Sequence, residues 1–142
     1  MDTVVAAEFH PLERNSIVTC GKNHINFWTL DNGGTIYKRM GIFENRDKPK
    51  YVTCIGFLQS GDVITGDSNG NIAIWGRNTN TIVKLVKNVH EGSIFSILVL
   101  KDGSIVTGGG KDSRLVQLDS NLMRTGEQSQ VNIFIQALCE GF

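Results

Sequence analysis

Three near-copies of one short phrase, Ile17-Val18-Thr19, Val63-Ile64-Thr65 and Ile105-Val106-Thr107, constrain this chain more than any other feature. Each is followed by a turn of small residues and then by a run that ends on a bulky side chain: Trp28, Trp75 or Leu118. Those end residues lie 47 and 43 positions apart. A unit recurring at such a period buries little apolar surface alone and gains its core by stacking on its neighbours.

The units are built from β-prone segments. Runs rich in Val, Ile, Thr and aromatics occupy 3–9, 16–20, 25–30 and 35–43, then 51–58, 62–65, 71–75 and 81–86, then 93–100, 104–107 and 114–118. Gly, Asn, Asp or Pro bounds each run, the pattern of short strands joined by tight turns. Glycine is plentiful at 16 residues and proline scarce at 2, and the glycines fall between the runs. The period is that of a four-stranded propeller blade. An all-β fold is expected: about three blades, near 4–43, 51–86 and 90–125, forming an open partial propeller. Closed propellers use about four to eight blades, so the chain is expected to be a fragment or truncated form, marginal or self-associating through its uncovered faces. Residues 71–75 show the logic of one blade. Ile72 and Ile74 share a face, small Ala73 permits close approach on the other, and Trp75 fills the gap between sheets. A buried indole N–H needs a partner.

Composition excludes several alternatives. The 142 residues carry 14 Lys+Arg and 14 Asp+Glu, with 40% apolar and 20% charged side chains. That is too apolar for a disordered chain, and zero net charge lacks the positive field that nucleic acid or an anionic membrane surface attracts. No run approaches the roughly 20 apolar residues of a membrane span. The opening Met1-Asp2-Thr3 is acidic where a secretory signal is basic. Cys20, Cys54 and Cys139 are odd in number and widely spaced, so neither a disulfide framework nor a metal site is indicated, and reduced thiols in a cytosolic protein are expected.

The pattern resembles WD40-type repeats, although Thr29 and Gly76 stand where Asp usually follows Trp. Val18-Thr19-Cys20-Gly21-Lys22, Phe27-Trp28-Thr29-Leu30, Gly66-Asp67-Ser68, His90-Glu91-Gly92 and Gly108-Gly109-Gly110-Lys111-Asp112 together resemble the echinoderm microtubule-associated protein-like family. The resemblance covers roughly residues 4–125. It implies a non-enzymatic scaffold of the cytoplasm and cytoskeleton whose propellers engage tubulin and microtubules, with no cofactor. The family's N-terminal coiled coil has no counterpart in this sequence. A general WD-repeat scaffold for signalling or ciliary proteins is the alternative. Residues 126–142 are an atypical tail, and Val131–Phe142 do not resemble the family's continuation into another blade. Val131, Ile133, Ile135 and Ala137 alternate as a strand would, while Val131, Phe134, Ile135 and Leu138 form a helical stripe. A short helix is expected there, since Gln136-Ala137-Leu138 are good helix formers.

In WD-type blades a loop His, a turn Asp and a strand Ser/Thr form a hydrogen-bonded chain to Trp. The resemblance implies that His90, Asp112 and Thr107 are such a network, cut short by Leu118, and that Trp28 and Trp75 are its indole ends in the other blades. A catalytic His/Asp pair is disfavoured because no Ser or Cys occurs in a nucleophile elbow. Gly108-Gly109-Gly110-Lys111 fails as a phosphate loop, since Ile105 holds the position of the first Gly and Asp112 that of the Ser/Thr. Asp67-Ser68-Asn69-Gly70-Asn71 fails as a calcium loop: its glycine falls two places early, and Asn78 stands where the bidentate Glu belongs. Lys22, Lys48, Lys50 and Lys111 fall in turns expected on one rim, a candidate contact for an acidic partner such as tubulin. Asp47, Asp67, Glu91 and Asp112 share those loops and dilute the field, so ordinary solvated charges are the competing reading.

Overall fold

The structure, a computed structural model, describes residues 3–44 and 48–129. Blade 1 contains β1 (Val4–Phe9), β2 (Ser16–Gly21), β3 (His24–Leu30) and β4 (Ile36–Met40). Blade 2 contains β5 (Val52–Phe57), β6 (Val63–Asp67), β7 (Ile72–Trp75) and β8 (Ile82–Val86). Blade 3 contains β9 (Ile94–Val99), β10 (Ile105–Gly109), β11 (Arg114–Leu118) and β12 (Arg124–Ser129). Every blade is a four-stranded antiparallel sheet in chain order. Among the described residues there is no helix. Blade 1 packs on blade 2 and blade 2 on blade 3, with β5 touching both β1 and β9, so the three sheets form an open arc.

The register explains why the phrase repeats. Thr19 pairs with Asn26, Thr65 with Ala73 and Thr107 with Val116, placing each threonine in the middle of its sheet. The residues on either side of it share one face of the sheet and the threonine points to the other, as the pleat requires. In blade 2, Val63, Ala73 and Trp75 turn toward blade 1, where they pack with Val18, Ile25 and Phe27. Ile64, Ile72 and Ile74 turn toward blade 3 and pack with Ile94, Ile105, Val116 and Leu118. Trp75 is 0% exposed. Its ring centroid lies 5.7 Å from that of Phe27 and 5.2 Å from that of Phe43, the latter edge-on. Gly41 closes this socket: a Cβ there would stand 2.4 Å from Ile25 Cγ2 and 3.0 Å from the indole, so only glycine lets the backbone approach.

The turns follow from side chains that cap their own backbone. Asp31 Oδ1 accepts the N–H groups of Gly33 and Thr35, and Asp119 Oδ1 those of Asn121 and Met123. Asp67 Oδ1 does the same for Asn69 and Asn71. Gly70, at φ +81°, completes that last turn and lies against the carbonyl of His90, where a Cβ would be 2.1 Å away.

The third blade extends further than the sequence reading placed it. Gly126–Ser129, assigned there to the tail in which a short helix was expected, continue β12 and pair with β11. This strand has no apolar alternation to reveal it; backbone pairing with β11 and the Asp119 turn define it. Residues 130–142, and with them the helix expected beyond residue 130, lie outside the described residues.

Candidate protein-interaction rim

The rim is formed by the β2–β3, β6–β7 and β10–β11 turns and the loops that enter blades 2 and 3. From the strand threonine to Trp28, Trp75 or Leu118, which hold one register position, the chain takes nine positions in blade 1, ten in blade 2 and eleven in blade 3.

There His90 Nδ1 lies 2.9 Å from Asp112 Oδ2 and His90 Nε2 2.7 Å from Thr107 Oγ1. The carboxylate only accepts, so it holds a proton on Nδ1 and turns Nε2 toward the threonine hydroxyl, which also lies 3.5 Å from the Val116 carbonyl. Asp112 also accepts the backbone N–H groups of Glu91 and Arg114, at 3.2 and 3.1 Å. Burial pushes the Asp112 carboxyl up, but the His90 hydrogen bond and these two N–H groups outweigh it and hold the carboxyl below its usual range. The imidazole is 0% exposed and both its nitrogens are engaged, so a substrate would have no free nitrogen to meet.

Blades 1 and 2 hold the equivalent threonine differently. Trp28 Nε1 donates to Thr19 Oγ1 at 2.8 Å, and Trp75 Nε1 to Thr65 Oγ1 at 3.0 Å. Leu118, packed at the corresponding register position opposite Ile105, offers no donor. Among the described residues the Asp67 carboxyl of blade 2 accepts from backbone N–H groups, and burial drives it above its ordinary range despite them.

Lys22, Lys48 and Lys50 lie where blade 1 meets the loop entering blade 2, and Lys111 lies in the β10–β11 turn. Lys22 forms an isolated bridge with Tyr51, and the N–H of Asn23 donates to the carbonyl of Lys50 at 2.8 Å, so the blade 1 turn is joined to the loop entering blade 2. Lys48 and Lys50 are exposed, flanking buried Pro49, and Lys48 Nζ lies 5.8 Å from the centre of the Phe43 ring. Among the described residues, Lys22, Lys48 and Lys50 take part in no ion pair. Lys111 stands apart on blade 3, with its ammonium 3.2 Å from Glu91 Oε1.

On the opposite edge, blades are joined by residues that no repeat or motif singles out. His10 Nε2 donates to the carbonyl of Gly61 at 2.8 Å while its Nδ1 accepts from the N–H of Leu12, and its ring packs edge-on against Phe57. Arg77 of blade 2 pairs with Glu13 of blade 1 at 2.7 Å, which lowers the Glu13 carboxyl. Gln59 reaches the carbonyl of Lys101 in blade 3 at 2.6 Å. Each contact occurs once, between residues more than 40 positions apart, so no repeat announces it.

Comparison with known proteins places this arrangement. The chain superposes on the WD40 β-propeller domain of Doa1 with a TM-score of 0.71 at 18% identity, covering 89% of this chain and 40% of that one. It is 50% identical over 123 residues to echinoderm microtubule-associated protein-like 1 of Mus musculus, covering 87% of this chain. It is 45% identical over 142 residues to the 77 kDa echinoderm microtubule-associated protein of Lytechinus variegatus, covering 99%. The chain spans only 15% and 21% of the lengths of those two relatives. Residues 1–139 match the family described as the echinoderm microtubule-associated protein first beta-propeller, which carries the likeness beyond residue 125. With its three stacked blades and their threonine-centred corners, this chain belongs to that WD40-type family.

Proposed function

We propose that this chain is a non-enzymatic interaction module of a microtubule-associated WD-repeat protein, and that it binds tubulin in the cytoplasmic cytoskeleton. The observation that carries this reading is the match of nearly the whole chain to a family whose relatives are named for microtubule association. The rim supports it. The turn bearing Lys22 is joined to the loop bearing Lys48 and Lys50, which concentrates positive charge on a chain with no net charge. An acidic protein surface such as tubulin's is the complement of such a patch. Lys111 contributes less, because Glu91 already neutralises it. A scaffold role is supported by the buried, fully engaged His90.

Co-sedimentation of the chain with assembled microtubules tests the reading. It should pellet with them and be released as salt rises, since exposed charges are screened over about 8 to 10 Å at moderate ionic strength. A chain that stays in the supernatant at low salt contradicts the proposal and favours a WD-repeat scaffold for other protein partners.

A further inference from the structure

The sequence holds two Asn-Gly pairs, Asn32-Gly33 in the β3–β4 turn and Asn69-Gly70 in the β6–β7 turn. In such a pair the following backbone nitrogen can attack the asparagine side-chain carbonyl, because glycine has no Cβ to hinder the approach. The fold treats the two pairs differently.

Asn69-Gly70 is wedged between blades. Asp67 Oδ1 accepts the N–H groups of Asn69 and Asn71, and the Asp67 carbonyl accepts that of Gly70 at 3.2 Å. The Gly70 carbonyl in turn accepts from the N–H groups of Val89 and His90, at 2.9 and 3.2 Å. Turning the Gly70 nitrogen toward Asn69 Cγ would break the bonds that seat this turn on the loop entering blade 3.

Asn32-Gly33 is open by contrast, with residues 32–35 all exposed. Among the described residues a Cβ on Gly34 would meet nothing within 4 Å, and one on Gly33 would meet Asp31 Oδ1 at 3.5 Å. The Gly33 N–H donates to that same Oδ1 at 2.9 Å, within the reach of a general base. The Thr35 N–H at 2.8 Å and the Tyr37 hydroxyl at 3.3 Å also donate to this carboxylate and hold it in place. The N–H lies in the peptide plane, whereas attack uses the nitrogen electrons perpendicular to that plane. The bond to Asp31 therefore leaves the attacking face open.

We propose that Asn32 is a spontaneous deamidation site with Asp31 as its general base. Asp31 takes the Gly33 proton as the Gly33 nitrogen bonds to Asn32 Cγ. The bond from Cγ to the side-chain nitrogen then breaks, and ammonia leaves with that proton. Water opens the resulting succinimide at either carbonyl, giving aspartate or isoaspartate at position 32. Both products place a second carboxylate beside Asp31 on a chain with no net charge, and isoaspartate adds a methylene to the backbone between β3 and β4. The inference is independent of tubulin binding.

Incubation of the 142-residue chain at neutral pH, followed by digestion and mass spectrometry with chromatographic separation of the isoaspartyl peptide, reads the outcome. Conversion at Asn32 should run several-fold ahead of conversion at Asn69, and the two rates should converge in urea that unfolds the chain. Asp31→Ser keeps a short side-chain acceptor for the turn but removes the carboxylate. It should slow Asn32 several-fold in the folded chain and leave the rate in urea unchanged. Gly33→Ala, whose Cβ the folded turn accommodates, should slow Asn32 in both conditions. Should Asp31→Ser lose the strand signal in circular dichroism, the wild-type comparison of Asn32 with Asn69 still decides. An Asn32 that stays unmodified, equal rates at Asn32 and Asn69 in buffer, or a rate unchanged or raised by Asp31→Ser in the folded chain would overturn the proposal.

Discussion

One corner of the fold is built in two ways. In blades 1 and 2 an indole N–H donates to the strand threonine from inside the blade. In blade 3 the threonine hydroxyl instead meets His90, which Asp112 fixes from the rim. A hydroxyl serves both arrangements because it is donor and acceptor at once. The consequence lies on the surface. Blade 3 uses its His, its Asp and, through Glu91, its Lys within its own loops, whereas the junction of blades 1 and 2 is held from within and leaves Lys48 and Lys50 facing solvent. The motif that looks most chemical is thus the internal one, and the plain lysines are the groups available to a partner.

Breaking each corner should give a graded set of losses. Trp75→Ala removes the largest buried ring of the first joint and should cost about 3 to 5 kcal/mol in urea unfolding, against about 1 to 2 kcal/mol for half-buried Trp28→Ala. A Trp28 loss equal to that of Trp75 would show that blade 1's outer face is covered in solution. His90→Ala leaves Thr107 and Asp112 without their partner and should cost about 2 to 3 kcal/mol. Leu118→Trp supplies the absent indole but overfills a site only 2% exposed, so a loss of about 1 to 3 kcal/mol is expected. A stabilised Leu118→Trp would mean that the two corners are compatible after all.

The two turn carboxylates give a comparison in pH. Asp112 sits below its ordinary value when folded, so its contribution is present above that value and is lost as pH falls through the folded one. Asp67 sits above its ordinary value, so it opposes folding increasingly as pH rises through the window between the two. In chemical unfolding from pH 3 to pH 6, Asp112→Asn should therefore flatten the rise of stability with pH, and Asp67→Asn should steepen it. The smallest effect belongs to Arg77→Ala, below about 1 kcal/mol and fading in salt, because its pair with Glu13 is open to solvent.

The blades were legible because burial imposes the same demand on every copy: β-branched residues around one threonine, a small residue where sheets approach, a bulky one at the strand end. His90 and Asp112 were legible only through likeness to other WD-type repeats, since 22 positions separate them. The outer strand of blade 3 was not, because an edge strand is specified by its partner's backbone more than by its own apolar pattern. His10 and the Glu13–Arg77 pair left no trace either, as contacts made once across a joint have no period. Asp119, following Leu118 as Asp follows Trp in WD repeats, caps the β11–β12 turn, and without a tryptophan before it no WD pair marks the position.

The contrast between the two parts of the rim is tested most directly by charge reversal in microtubule co-sedimentation. Lys48→Glu with Lys50→Glu should weaken binding about five-fold or more, as expected for two rim charges worth about 0.5 kcal/mol or more each. Lys111→Glu, already compensated by Glu91, should change it far less. Equal losses from both, or none from the first, would contradict the account.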